Sequence, residues 1–126
     1  MFWYEAVFTQ ALEKVKLAMT TQNAAGIEWD AGNWHKCQKH GVSIREIETV
    51  FHHGMIEFPD PAHSENEDRF ISIGKGHEGR CVFVVFTLRH RDGQTFIRPI
   101  SARYMHQKEI TAYEKALAKI EKRRGS

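Results

Sequence analysis

A chain of 126 residues with 41% hydrophobic and 27% charged side chains has the length and apolar content for one packed domain, which excludes disorder as the default. Its longest apolar run, CVFVVF at 81–86, is too short to cross a bilayer, and its first residues lack the pattern of a secretory signal. The net charge of +2 divides unevenly: residues 1–26 balance, 27–68 carry nine acids and three bases, and 69–126 carry five acids and thirteen bases. That asymmetry suits either a surface for a polyanion or two halves that neutralise each other in the fold.

Residues 2–19 (FWYEAVFTQALEKVKLAM) predict a helix, because Trp3, Val7, Ala11 and Val15 recur every four positions. TTQNAAG then reads as a linker, and IEWD at 27–30 as a short strand. Asp30 or Asn33 is placed to cap a helix running to His40, and Gly41 to stop it. Ser43 with Glu46 three residues on predicts a capping box for a helix that buries Ile44, Ile47, Val50 and Phe51. From Met55 the period changes to that of strands. MIEFPD is a strand ending at Pro59, PDPAHSENED an acidic loop, and RFISIG a strand. RCVFVVFTLR is apolar on both faces and therefore central in the sheet. Asp92-Gly93 predicts a hairpin turn, and in the following strand, TFIRPISAR, Pro99 predicts an edge position or a bulge. A helix from His106 carries Ile110, Tyr113, Leu117 and Ile120 on one stripe. The expected fold class is α+β: an antiparallel meander with two helices before it and one C-terminal helix, plus an extra N-terminal helix.

Residues 33–42, NWHKCQKHGV, concentrate polar chemistry. His35 and His40 are five apart, so on a helix they point about 140° away from each other, and no metal centre is expected. Lys36 lies beside Cys37 and would lower its pKa, but no base shares its face, and a small buried thiol is the better reading. With Cys81 the only other cysteine, both are expected as free thiols of a cytoplasmic protein. Lys36 and His40 are four apart and do share a face, with Lys39 at its margin. That patch suits phosphate, although a solvated helix face would look the same.

The order of motifs says more than any one of them. WD at 29–30 is followed by KHGVS at 39–43, FPDPAHSENEDRFISIG at 58–74, GRCVFVVFTLR at 79–89 and ISAR at 100–103, then a helix with Tyr113-Glu114. From about Ile27 to about Glu114 this resembles the BrnT family, toxins of type II toxin–antitoxin systems with a RelE-like fold. The resemblance implies an endoribonuclease, ribosome-independent or ribosome-assisted, that stops growth. It also implies a cognate BrnA-like antitoxin that caps the active surface and carries the DNA-binding part, the complex repressing its own operon. DNA is thus an indirect partner, RNA the substrate, and no membrane is involved. The chain departs from the family pattern in residues 1–26, read as a helical extension and linker before a toxin domain at 27–126, in Pro99, and in Tyr104-Met105 where more basic residues are usual.

RNA cleavage without a metal or other cofactor uses the adjacent 2′-hydroxyl as nucleophile, helped by a proton-transfer group and by cations on the phosphate. The resemblance points to Lys39, His40, Arg69 and Arg103 as catalytic. His40 transfers the proton, because its reference pKa lies nearest neutrality. Arg103 and Arg69 hold the scissile phosphate, and Lys39 assists. Lys36, Arg98 and Arg80 are expected to bind RNA, although strict alternation puts Arg98 on the opposite sheet face from Arg103. Glu109 and Tyr113, four apart on the last helix, are minor candidates. Phe83, Phe86 and Phe96 are read as core rather than as base-stacking platforms. A non-catalytic antitoxin-binding module is the competing class. The N-terminal helix, whose apolar stripe needs burial, is expected to favour self-association.

Overall fold

The structure is a computed structural model and describes residues 23–53, 56–60 and 69–124. The helix expected at 2–19 and most of the acidic loop lie outside the described residues. Eight elements follow in order: β1 (Gly26–Ile27), α1 (Trp34–Gln38), α2 (Ile44–His52), β2 (Ile56–Pro59), β3 (Arg69–Lys75), β4 (Cys81–Arg91), β5 (Gln94–Tyr104) and α3 (Gln107–Arg124). They form one five-stranded sheet in the order β1-β5-β4-β3-β2. The apolar run of β4 is its middle strand. Strands β2 to β5 make the expected antiparallel meander, but β1 pairs with β5 in parallel, at Phe96 and Ile97. The sheet is therefore mixed, and the α+β class stands with that correction. The first strand is also shorter than IEWD suggested and begins earlier, in the small-residue stretch read as linker.

The pleat sorts the core into two layers, because directly paired residues share a sheet face and alternate along each strand. Val82, Val84 and Ala102 face α1 and α2, where they bury Cys37, Val42, Ile47 and Val50. Phe86 lies on the same face, edge-on to Phe51 at 5.3 Å between ring centroids. On the other face Ile56, Phe58, Ile71 and Ile73 pack under α3 through Ala112 and Ala116, with Phe83 and Val85 at the margin. Tyr113 joins this layer with Ile110 and Leu117, as the apolar stripe predicted.

The turns follow their sequence chemistry. Asp92 and Gly93 both take positive φ, +53° and +76°, which suits the twist of a two-residue hairpin loop. Gly41 stops α1 at φ +89°, and its N–H donates to Gln38 O. Helix α1 ends at Gln38, two residues before the expected His40. Its N-terminus is built differently from a simple cap. Asn33 makes no side-chain cap and instead is buried, its Nδ2 donating to Glu28 O and to Pro99 O, both at 2.9 Å. Half of the capping box of α2 forms, with Ser43 Oγ accepting from Glu46 N–H. The Glu46 carboxylate does not return to Ser43; it accepts from Glu78 N–H at 2.9 Å, in the turn between β3 and β4.

Candidate functional site

The β4–β5 ladder carries the feature that decides which cations lie together. Val85 pairs with Ser101 and Phe86 with Pro99, so Ile100 is an extra residue on β5. Pro99 has no N–H to give a ladder and sits where one is interrupted, at this bulge. One extra residue reverses the alternation beyond it. Arg103 pairs with Phe83, and Arg98 with Thr87, four positions along β4. Arg98 and Arg103 are therefore on the same face, not on opposite ones as strict alternation predicted. Arg69 also pairs with Thr87, so Arg69, Thr87 and Arg98 form a row across three strands. By sheet spacings, the Cα atoms of Arg69 and Arg98 are about 10 Å apart, and those of Arg69 and Arg103 roughly 17 Å. The three arginines line the α3 side of the sheet but do not converge on one point.

Each is held by other groups. Arg103 forms a two-pronged pair with Glu109, Nη1 to Oε1 at 2.7 Å and Nη2 to Oε2 at 2.8 Å, and lies over the Phe83 ring at 4.4 Å. Glu109 is fully buried and is the third residue of α3, so its Oε1 also accepts the His106 N–H at 2.9 Å. Burial pushes the Glu109 pKa up, but the hydrogen bonds from Arg103 and His106 and their charges outweigh it, and the carboxyl stays below its ordinary value. Arg98 donates to Glu28 Oε1 at 2.8 Å and to both oxygens of Asp30 at 2.6 and 3.1 Å. The hydrogen bond from Arg98, with that from Gly32 N–H, lowers the Asp30 pKa. Arg91 joins the same group through Glu28 at 2.5 Å. Here the acidic first half of the chain neutralises the basic second half. Arg69 is half-buried at the start of β3.

The other expected residues lie elsewhere. Lys36, Lys39 and His40 are exposed on and just after α1, on the face of the sheet opposite Arg103. The structure does not gather His40 and Lys39 with Arg69 and Arg103 around one phosphate, because Cys37 and Val42, which bracket them, pack on Val82, Val84 and Ala102. Arg80 is on that side too, with its guanidinium 3.5 Å from the centre of the Tyr104 ring. Tyr104 thus serves as a platform for Arg80. Tyr113 is half-buried, and burial raises its pKa. Cys37 is buried and its thiol is pushed up to about 11 by desolvation, which suits a core thiol and not a nucleophile. Phe86 is core, as expected, whereas Phe83 and Phe96 are half-buried beneath Arg103 and Arg91. Among the described residues, no three His, Cys, Asp or Glu side chains are grouped as metal ligands would be, and no helix is long and apolar enough to cross a membrane.

His106 was missed by sequence reasoning. It is exposed, and its backbone N–H donates to the Glu109 carboxylate. Its spacing, three residues from both Arg103 and Glu109, was the available signal. Its backbone lies beside the carboxylate that holds Arg103.

A family model described as "Ribonuclease toxin, BrnT, of type II toxin-antitoxin system" matches residues 29–109. No curated protein matches the chain.

Proposed function

The chain belongs to the BrnT family of ribonuclease toxins of type II toxin–antitoxin systems, and from that premise we propose that it cleaves RNA without a metal, on the sheet face that carries Arg69, Arg98 and Arg103. The observation that supports this site is the bulge at Ile100, which turns Arg98 to the side of the other two. Arginine stays charged and offers a planar fork to phosphate oxygens. Spread over about 10–17 Å, the three guanidinium groups suit successive parts of an RNA backbone. Arg103, held rigid by Glu109, is the cation for the scissile phosphate. His106 takes the proton-transfer role that the sequence assigns to His40, because its backbone N–H and the Arg103 guanidinium bind the same Glu109 carboxylate. The attacking 2′-hydroxyl loses its proton, the P–O5′ bond breaks, and the leaving 5′-oxygen is protonated. A 2′,3′-cyclic phosphate and a 5′-hydroxyl result. A RelE-like fold, neutralisation by a BrnA-like antitoxin that covers the arginine face, and repression of the operon by the complex complete the proposal.

A second reading has an observation in its favour. Arg103 and Arg98 are both paired with carboxylates, as they would be in a module that only binds its antitoxin. The deciding experiment incubates purified chain with total RNA in EDTA, with and without ribosomes, beside Arg103→Lys, Arg69→Ala and His106→Ala. Cleavage is expected from the wild type. Arg103→Lys keeps the charge and loses the fork, and a drop of about 100-fold is expected, the effect of removing one preorganised donor. A wild type that cuts neither RNA sample makes the module reading correct.

A further inference from the structure

Trp34 is 42% exposed, although burying its ring elsewhere would stabilise the fold. It is the one large apolar side chain so exposed among the described residues. It is not loosely placed. Its ring meets that of Trp29 edge-on, at 5.9 Å and 83°, and Trp29 is fixed by its Nε1 donating to Glu48 at 3.1 Å. Around it, residues 31–45 contain Lys36, Lys39 and Arg45 with His35 and His40, and no carboxylate. All five of these side chains are exposed. The nearest acid before them, Asp30, is occupied by Arg98. A fixed aromatic face beside exposed lysines matches what single-stranded nucleic acid requires: a ring for a base and cations for the flanking phosphates.

We propose that the outer surface of α1 docks single-stranded RNA, with a base stacked on Trp34 and phosphates on Lys36 and Lys39. This rests on the ribonuclease reading and gives the α1 cluster a role that its distance from Arg103 denies it in the chemistry. The two surfaces meet at the sheet edge, where the lead-in to α1 follows β5 and Asn33 Nδ2 donates to Pro99 O. β1 pairs with β5 only at Phe96 and Ile97, so past Ile97 no described strand lies outside β5. The lead-in to α1 abuts the arginine face there, since a Cβ on Gly32 would sit 3.1 Å from Arg98 Nη2.

The test measures binding of the full chain to a labelled single-stranded RNA whose 2′-hydroxyls are methylated, by fluorescence anisotropy, with cleavage of the unmodified RNA measured alongside. Trp34→Ala is expected to weaken binding about tenfold, within the range of one stacked base, and Trp34→Phe to retain most of the affinity. Lys36→Ala with Lys39→Ala is expected to reduce the slope of log K against log salt by about 1.4, two phosphates' worth on a single strand. Thermal melts of each variant separate these losses from misfolding. If the wild type cleaves RNA but Trp34→Ala binds it as tightly, the docking surface is overturned and the ribonuclease stands. A change in sedimentation mass with Trp34→Ala would then assign the patch to a second copy of the chain. If binding depends on Trp34 in a wild type that cleaves nothing, the docking surface stands and the ribonuclease is overturned. Absence of any RNA binding overturns the docking surface.

Discussion

At the scale of single residues, Glu109 ties the proposed site to stability. Its carboxylate holds the Arg103 fork and also the first free N–H before α3, so one buried charge fixes a side chain and a helix end. Glu109→Gln removes the charge and keeps the volume. Arg103 then loses its charged partner at a site where its side chain is only 29% exposed, and an unfolding free energy lower by about 3 kcal/mol is expected at pH 7 from urea denaturation. The pH dependence has a definite sign. The folded-state pKa lies below the ordinary value of 4.5, so the contribution of Glu109 is complete above that value and disappears as pH falls through the folded one. The gap between wild type and Glu109→Gln should narrow on acidification below 4.5. A gap that stays constant down to pH 2 would show that the carboxylate charge contributes nothing. Sequence reasoning named Arg103 and Glu109 but did not pair them, and it missed His106. The partners are close in the chain, yet they meet only because Tyr104 and Met105 turn the strand into the helix, with Met105 N–H bonded to Cys81 O.

At the scale of elements, the connection between β3 and β4 is locked to α2. A Cβ at Gly76 would lie 2.2 Å from Glu46 Oε2 and 2.8 Å from its Cδ. Glu46 is buried, and its other oxygen is committed to Glu78 N–H, so it has little room to retreat. Gly76→Ala is expected to cost about 1–3 kcal/mol, several degrees in Tm. Glu46→Ala in the same chain should recover part of that loss, since it removes the clash; additive losses in a double-mutant cycle would refute the contact. Most elements were legible because their signals are local: the β-branched run of β4, the Asp92-Gly93 turn, the Ser43 cap, the stripe of α3. What was not legible depended on distant chain. The parallel pairing of β1 has no pattern in two residues, and Asn33 looked like a helix cap until Pro99, 66 residues away, supplied a carbonyl for it. Pro99 itself announced an edge position or a bulge, but the facing of Arg98 was still counted without the bulge. Which residue is extra is known only from the register of the partner strand.

At the scale of the whole molecule, the uneven charge of the chain is partly spent internally, in Glu28 and Asp30 against Arg91 and Arg98, and partly left outside on α1. The RNA-binding residues expected from sequence therefore divide between two surfaces, a division that residue types cannot reveal because it depends on which side of the sheet each element packs. The segment before Asn23 carries the apolar stripe that the sequence expects to drive self-association. If that stripe joins two copies, light scattering should give a mass that rises with concentration for the full chain and not for one starting at Met19. Equal mass per subunit in both would defeat that expectation. The extra residue at Ile100 has one more consequence. Deleting it would alter no charge, yet every side chain on the preceding part of β5 would exchange sides: Arg98 would be driven toward the apolar layer and Ile97 out of it. The spacing of the arginines is thus inherited together with the core. An insertion or deletion along this strand would act as a folding defect before it could retune the site, so a changed site is reached more readily by exchanging side chains or remodelling loops.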